Sequence, residues 1–252
     1  MINFFVILFS FYLTPDNNLQ SGIEYFNARA ENAIGLQANT FNIDKAIKIF
    51  EGELSDQQNK EKAGYYYLAS LNFKGQFVFT KEVDRKNVYK KAVDIGNALI
   101  KEFPQSAYIR FELITSIGLL AEMNGALKSA ESGVVSQMLF HSHMLIQTDS
   151  MYRCCAGWKV LSILHYKTPY IPLVLTWPSN NTANDLLQKA LRYYPADISN
   201  NYYYAEALLE SGDKVNAKIY FQLVAKFTSR KEFYLEDENQ KEKAKKHLAS
   251  WH

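Results

Sequence analysis

The chain has 252 residues and a formal net charge of +2 at neutral pH, so we expect neither a charged tail nor a nucleic-acid partner. Its two cysteines, Cys154 and Cys155, are too few and too close together for a disulfide framework, and we interpret them as buried small apolar residues. With only 11 glycines and 6 prolines, the composition disfavours a β-rich or disordered chain. The length suffices for one domain with a buried core.

The first 17 residues are set apart from the fold by their composition. Residues 1–13, MINFFVILFSFYL, are nearly continuous apolar sequence. They are too few to span a bilayer, which takes roughly 20 residues, but match the hydrophobic core of a secretory signal peptide. No Lys or Arg precedes them, and no small-residue cleavage site lies before Pro15. A signal or degraded signal, a membrane-surface anchor and a first buried helix remain open, and we expect a single repeat domain over 18–252.

The first half of this domain predicts pairs of helices. Apolar periodicity indicates helices over 18–37, 42–54 and 61–73. An insertion over 75–86, with a short β-like patch at 77–79, is expected before the partner helix that carries Ala92.

The middle of the chain is expected to continue the pairs less regularly. We predict helices over 106–123 and 125–147, followed by a helix that ends near Lys167. An irregular insertion over 168–181 interrupts the next unit, because its prolines exclude a helix. Its apolar side chains are costly to expose, so we expect it to cover a groove or to pack on a partner.

The stretch over 181–227 carries the strongest pattern. Ala183 and Ala217 are 34 residues apart, which is the period of a tetratricopeptide repeat. Pro195 follows Ala183 by twelve residues, and Pro104 follows Ala92 by the same interval. A proline at this place ends the helix before it.

Small residues in this stretch mark where two helices approach closely, at Ala183, Ala190, Ala205 and Ala217. Larger residues, Leu187 and Phe221, each follow a small one by four positions, so each pair shares a helical face. Gly212 and Asp213 read as a helix stop and an N-cap. An ordinary helical hairpin with chance alanines is the alternative.

These patterns predict an all-α fold: a tetratricopeptide-like solenoid of helical hairpins with an irregular proline-rich insertion. From about residue 237 the charged tail is expected to form a capping helix with one solvated face.

Two segments also resemble a known family. Residues 157–172, GWKVLSILHYKTPYIP, and residues 200–213, NNYYYAEALLESGD, are similar to the tetratricopeptide T-component associated with TRAP transporters. His165, Lys167 and Pro169 match its pattern, whereas Ser162 and Ile163 depart from it. The resemblance covers about residues 150–227. It implies a periplasmic, non-enzymatic binding or adaptor subunit that partners a solute-binding protein.

No residue pattern indicates catalysis, and we expect no cofactor. His141 and His143 are two apart, and residues two apart on a helix do not face each other, so we expect no metal site there. His165 is interpreted as a residue that caps a helix or anchors a loop. None of the common nucleophile, metalloprotease or nucleotide-binding motifs occurs.

Candidate binding residues follow from the repeat register, because the first helices of a solenoid line its concave face. Aromatic and polar side chains there suit a protein partner or an apolar small ligand, although ordinary packing aromatics are the alternative. The candidates are Tyr66, Phe111, Lys159 and Tyr202 at corresponding positions, Tyr166 and Glu206 one turn further along, and Trp177 in the insertion.

The sequence therefore favours a binding or adaptor protein of the periplasm or cell envelope. The alternative function is a membrane-tethered scaffold held by residues 1–13. Membrane contact through that segment and oligomer formation both remain open, and an enzyme has no positive support.

Overall fold

The computed structural model describes residues 16–125, 133–168 and 178–251, which contain eleven α-helices and no strand beyond an isolated bridge between Ile34 and Gln37. A 3-10 turn, Lys231–Phe233, leads into the last helix. In chain order the helices are α1 Asp16–Asn27, α2 Thr40–Glu53, α3 Lys60–Phe77, α4 Glu82–Glu102, α5 Ala107–Asn124, α6 Val134–Thr148, α7 Tyr152–Lys167, α8 Asn180–Tyr193, α9 Ile198–Glu210, α10 Lys214–Lys226 and α11 Tyr234–Ala249.

Consecutive helices pack in pairs: α1 on α2, α3 on α4, α5 on α6, α7 on α8 and α9 on α10. The first helices of successive pairs also contact one another, α3 with α5 and α7 with α9, and so form an inner layer. Helix α11 packs on α10 and caps the array. The predicted all-α solenoid of helical hairpins is therefore confirmed.

The alanine pattern is the physical basis of this packing. Ala183, Ala190, Ala205 and Ala217 are all fully buried. Ala183 and Ala217 lie in α8 and α10, the second helices of successive pairs, so the 34-residue spacing is a structural repeat. A methyl side chain lets two helix axes approach closely, and larger partners such as Phe221 fill the space beside it.

The predicted stops and caps also form. Gly212 has a φ of +87°, the left-handed region that favours glycine after a helix. Asp213 then caps α10, because its side chain accepts a hydrogen bond from the Asn216 N–H at 3.1 Å. Pro195 and Pro104 lie in the turns after α8 and α4.

The helix predicted over 18–37 is too long, because α1 ends at Asn27. Two side chains donate hydrogen bonds to backbone carbonyl groups at the end of α1. Arg29 donates to the Phe26 carbonyl at 3.1 Å, and Asn42 donates to the Ala28 carbonyl at 2.8 Å. Asn32 and Gly35 then adopt left-handed conformations, which end the helical path.

The insertion predicted over 75–86 is wrong, as is its β-like patch at 77–79. Helix α3 continues to Phe77, and α4 begins at Glu82. Phe77 is 4% exposed and belongs to the core, so burial overrides the strand preference of its neighbours. Gly75 lies directly against the ring of Tyr89, where a Cβ would overlap it.

Two further boundaries differ from the prediction. A continuous helix over 125–147 does not form, since Gly125 and Gly133 have φ values of +86° and +76° and α6 begins at Val134. Helix α11 begins at Tyr234, three residues before the predicted start. The predicted cover over 168–181 lies mostly outside the described residues, as does the apolar segment over 1–13. No helix in the described ranges is long and apolar enough to cross a membrane.

Candidate functional site

A cavity of about 620 Å³ lies on the inner side of the solenoid, and we call it the concave cavity. Helices α3, α5, α7 and α9 form its walls together with α11. Its volume lies within the range of small-molecule sites, roughly 300–1,000 Å³. Apolar side chains that line it include Phe26, Phe73, Ile114, Leu119, Met138, Val160 and Leu164. Charged side chains that line it include Arg29, Glu112, Arg153, Lys159, Asp197 and Glu236.

The C-terminal helix forms one wall of this cavity. Arg29, in the turn after α1, donates hydrogen bonds to the Glu236 carboxylate at 2.9 Å and to the Glu232 carbonyl. Leu235 is fully buried in the core built on the first helices, whereas Ala244 is buried in the core of the last repeat. Helix α11 therefore joins both ends of the array across its inner side.

A buried ion-pair network holds α11 to the start of α9. Asp197 caps α9 by accepting from the Asn200 N–H at 2.8 Å. The Arg230 guanidinium bridges Asp197 at 3.1 Å and Asp237 at 2.6 Å. Burial opposes ionisation of Asp197, but Lys159, the Asn200 N–H and Arg230 together hold its pKa below the usual value.

The start of α7 has an unusual backbone. Arg153, Cys154 and Cys155 have φ values of 47°, 56° and 66°, all left-handed. This conformation costs a non-glycine residue about 1–2 kcal/mol. Cys155 is fully buried, as its interpretation as a small apolar residue requires, whereas Cys154 is half-buried. Such strain persists only where the surrounding structure holds it, and it is frequent at functional sites.

Arg153 reaches the cavity wall from this turn. Its guanidinium lies 4.3 Å from the ring centroid of Phe233 and 5.2 Å from that of Phe111. The nearest carboxylate oxygen, on Glu112, is 3.8 Å from Arg153 Nη2, beyond hydrogen-bond distance. The charge of Arg153 is therefore stabilised by aromatic faces and by a loose ion pair.

Glu112 is the buried acid of this wall, at 3% exposure. It accepts a hydrogen bond from Asn72 at 3.0 Å. Burial raises the pKa of Glu112, although Arg153 and Asn72 act in the opposite direction. Glu112 therefore takes up a proton more readily than an exposed glutamate does.

The predicted binding residues divide between the cavity and the packing around it. Phe111 and Lys159 line the cavity. Tyr66 does not, because its ring packs on Phe26 and Phe50 with centroids 5.4 and 5.2 Å away. Its neighbour Tyr65 lines the cavity instead.

The remaining candidates form a second cluster. Tyr166 and Tyr202 donate hydrogen bonds to the two carboxylate oxygens of Glu206, at 2.7 and 2.8 Å. None of these three lines the cavity, whereas Tyr203 does. Trp177 lies outside the described residues.

Three residues that line the cavity were not among the predicted binding residues: Arg29, Glu112 and Arg153. The position of Glu112 could have been recognised from the sequence, since it is an acid within the apolar run of α5 and a buried charge requires a partner. The roles of Arg29 and Arg153 could not be recognised from the sequence, because their partners are distant in sequence or lie in turns.

Two histidines, His141 and His165, have structural contacts. His141 Nδ1 accepts a hydrogen bond from Arg110 at 3.0 Å in a buried setting. Burial and Arg110 lower the pKa of His141 to about 4. His165 Nδ1 accepts from the Ser179 N–H at 3.1 Å, which ties the end of α7 to the start of α8 and confirms its interpretation as a loop anchor.

Comparison with known proteins identifies no family. No family model matches the chain, and no curated protein matches it, so the resemblance to the T-component of TRAP transporters has no support from either comparison. Among solved structures, one similar chain is that of the crystal structure of the yeast Tom70, with 12% identity and a TM-score of 0.33. The match covers 98% of this chain and 67% of that chain. With values this low, we draw no conclusion from it on family or function.

Proposed function

We propose that the protein is a non-enzymatic binding protein that encloses a small, mainly apolar ligand in the concave cavity. The observation that supports this most directly is the position of α11, held across the inner side by Arg29 and Glu236. The cavity is partly open, and its volume of about 620 Å³ is of the size that suits a drug-sized molecule. The lining combines apolar side chains with charged and polar groups that can orient a ligand.

A filled cavity tests this function. Thr115 lines the cavity, and its hydroxyl donates to the Phe111 carbonyl of its own helix, so it holds no neighbouring element in place. We expect the wild-type protein to bind the neutral fluorophore N-phenyl-1-naphthylamine. Thr115→Trp should weaken this binding by about tenfold or more, because the indole occupies the ligand's space.

Val83→Trp is the matched control, since Val83 is 59% exposed on α4 and does not line the cavity. It should bind the fluorophore as the wild type does. Thermal unfolding of both variants shows whether they fold. Equal affinity in the folded Thr115→Trp variant, or no binding by the wild type, contradicts the proposed function.

A second candidate function, an adaptor for a protein partner, is favoured by the outer surface of α10. Val215, Ile219 and Leu223 recur every four residues and are 74%, 52% and 40% exposed. They form one apolar stripe on a helix. Capture of partners from a cell extract by the wild type and by Val215→Glu/Ile219→Glu tests it, and identical capture by both contradicts it.

The periplasmic or envelope setting, and a link to a transporter, are part of this proposal. They rest on the apolar composition of residues 1–13 and on the family resemblance. The mass of the mature protein tests the setting: cleavage near residues 14–20 supports secretion, and an intact Met1 contradicts it.

A further inference from the structure

Arg153 is the arginine of the cavity wall with the fewest polar partners among the described residues. Among the described residues, the Arg153 guanidinium donates no hydrogen bond. Its closest carboxylate, on Glu112, is 3.8 Å away. The side chain is 30% exposed and lines the concave cavity. A guanidinium carries five N–H donors in a planar fork, which matches a carboxylate or a phosphate.

The other cations of the wall are paired or exposed: Lys167 lies 3.7 Å from Glu206, and Lys243 is exposed to solvent. Arg29 pairs with Glu236 at 2.9 Å, and Arg230 pairs with Asp237 at 2.6 Å. Lys159 lies 3.5 Å from the buried Asp197. Arg153 is therefore the cation best placed to receive a new anion.

Position and surroundings prepare Arg153 for this role. The left-handed turn at 153–155 directs it to the junction of α5 and the 3-10 turn, where the Phe111 and Phe233 rings contact its guanidinium. Aromatic faces hold a guanidinium in place without using its N–H donors.

The acid nearest to Arg153 does not exclude an anion. Glu112 is buried and is already hydrogen-bonded to Asn72 at 3.0 Å. A bound anion would favour the protonated form of Glu112, which removes their mutual repulsion.

We propose that the ligand of the concave cavity is an amphiphile with one anionic head group, bound by the Arg153 guanidinium. Its apolar body extends along Ile114, Leu119 and Met138. This inference rests on the proposed function and adds the chemical class of the ligand. A cationic amphiphile bound by Glu112 and Glu236 is the opposite outcome.

Competition against N-phenyl-1-naphthylamine with four ten-carbon probes tests the head group. The probes are decanoate, decyl phosphate, decan-1-ol and decylamine. We expect the wild type to bind at least one of the two anions about tenfold more tightly than decan-1-ol, since a charge-assisted bidentate contact adds to the burial of the chain. The two anions, compared with each other, identify a carboxylate or a phosphate head.

Arg153→Gln should remove the preference for the anion while its affinity for decan-1-ol stays within about twofold, because the apolar part of the cavity is unchanged. Arg192→Gln, on the exposed surface of α8, is the matched control and should keep the preference. A retained preference in Arg153→Gln overturns the proposal.

If Arg153→Gln fails to fold, probe binding by the wild-type protein alone tests the anionic head group. Equal binding of all four probes, or tighter binding of decylamine, overturns the anionic head group and leaves the proposed function standing. Failure of the fluorophore and of decan-1-ol to bind the wild type overturns both.

Discussion

Arg29 and Glu236 are 207 residues apart in sequence, and Arg29 Nη2 lies 2.9 Å from Glu236 Oε1. Arg29 is 4% exposed, so this contact joins the first turn of the domain to its last helix inside the protein. The contact holds α11 across the inner side of the helical array, where it forms one wall of the concave cavity. A ligand of the concave cavity would therefore lie against α11.

Loss of the Arg29 contact should loosen the attachment of α11. We expect Arg29→Gln to lower the free energy of unfolding by about 2 kcal/mol, because Glu236 and the Glu232 carbonyl lose a buried charged donor. We also expect faster release of N-phenyl-1-naphthylamine. Urea unfolding and stopped-flow fluorescence measure the two effects.

Lys86→Gln is the control for Arg29→Gln, because it removes an exposed ion pair with Glu82 within α4. It should change neither measurement. Unchanged release from Arg29→Gln would show that α11 does not limit exchange of the ligand.

Stability should depend on pH through His141. Its Nδ1 accepts from Arg110, which always carries a proton, so a protonated His141 would lose this bond and face a second cation. Its folded pKa of about 4 lies below the ordinary 6.5, so the unfolded chain binds more protons between these values. The contribution of His141 to the free energy of unfolding is fully present above pH 6.5 and is lost as the pH falls towards 4. At about 1.4 kcal/mol per pKa unit, the loss is about 3 kcal/mol.

His141→Asn isolates this effect, since its side-chain oxygen still accepts from Arg110 but does not titrate. Urea unfolding at several pH values between 7 and 4 should give a shallower slope for this variant than for the wild type. His143→Gln, an exposed change on the same helix, should keep the wild-type slope. Equal slopes for His141→Asn and the wild type would assign the pH dependence to other groups.

Close helix approach at the repeat alanines predicts a cost for larger side chains. Ala205 is fully buried, so Ala205→Leu should lower the free energy of unfolding by about 1–3 kcal/mol through overpacking. Chemical denaturation measures this cost. Ala249→Leu, at the exposed end of α11, should have little effect, and a tolerated Ala205→Leu would contradict the packing at that position.

Two glycines should respond to alanine in opposite directions. Gly75→Ala should destabilise the protein although alanine favours helices, since the new Cβ overlaps the Tyr89 ring. Gly52, also helical, has no atom within 4 Å of a built Cβ. Gly52→Ala should therefore stabilise by about 0.5–1 kcal/mol. A rise in the thermal midpoint for both variants would contradict the close contact at Gly75.

Local patterns predicted the repeat but misplaced some of its boundaries. Ala183 and Ala217 indicated the 34-residue period, because they occupy equivalent positions in successive helix pairs. The predicted insertion over 75–86 was wrong because its apolar residues favour a strand locally, whereas their burial against α4 depends on tertiary contacts.

The candidate site was predicted in part. Phe111 and Lys159 line the cavity, but Tyr66 and Tyr202 are replaced there by Tyr65 and Tyr203. Adjacent helical residues point about 100° apart, so within a run of tyrosines the rotation of the helix decides which ring faces inward.

The sequence by itself determined the hairpin repeat, its turns and the capping role of the last helix, because each depends on residues within about one repeat of one another. Only the tertiary structure decided that α11 crosses the inner side and that Arg153 lines the concave cavity. Both depend on groups that the chain brings together from distant positions, and such contacts leave no periodic pattern in the sequence.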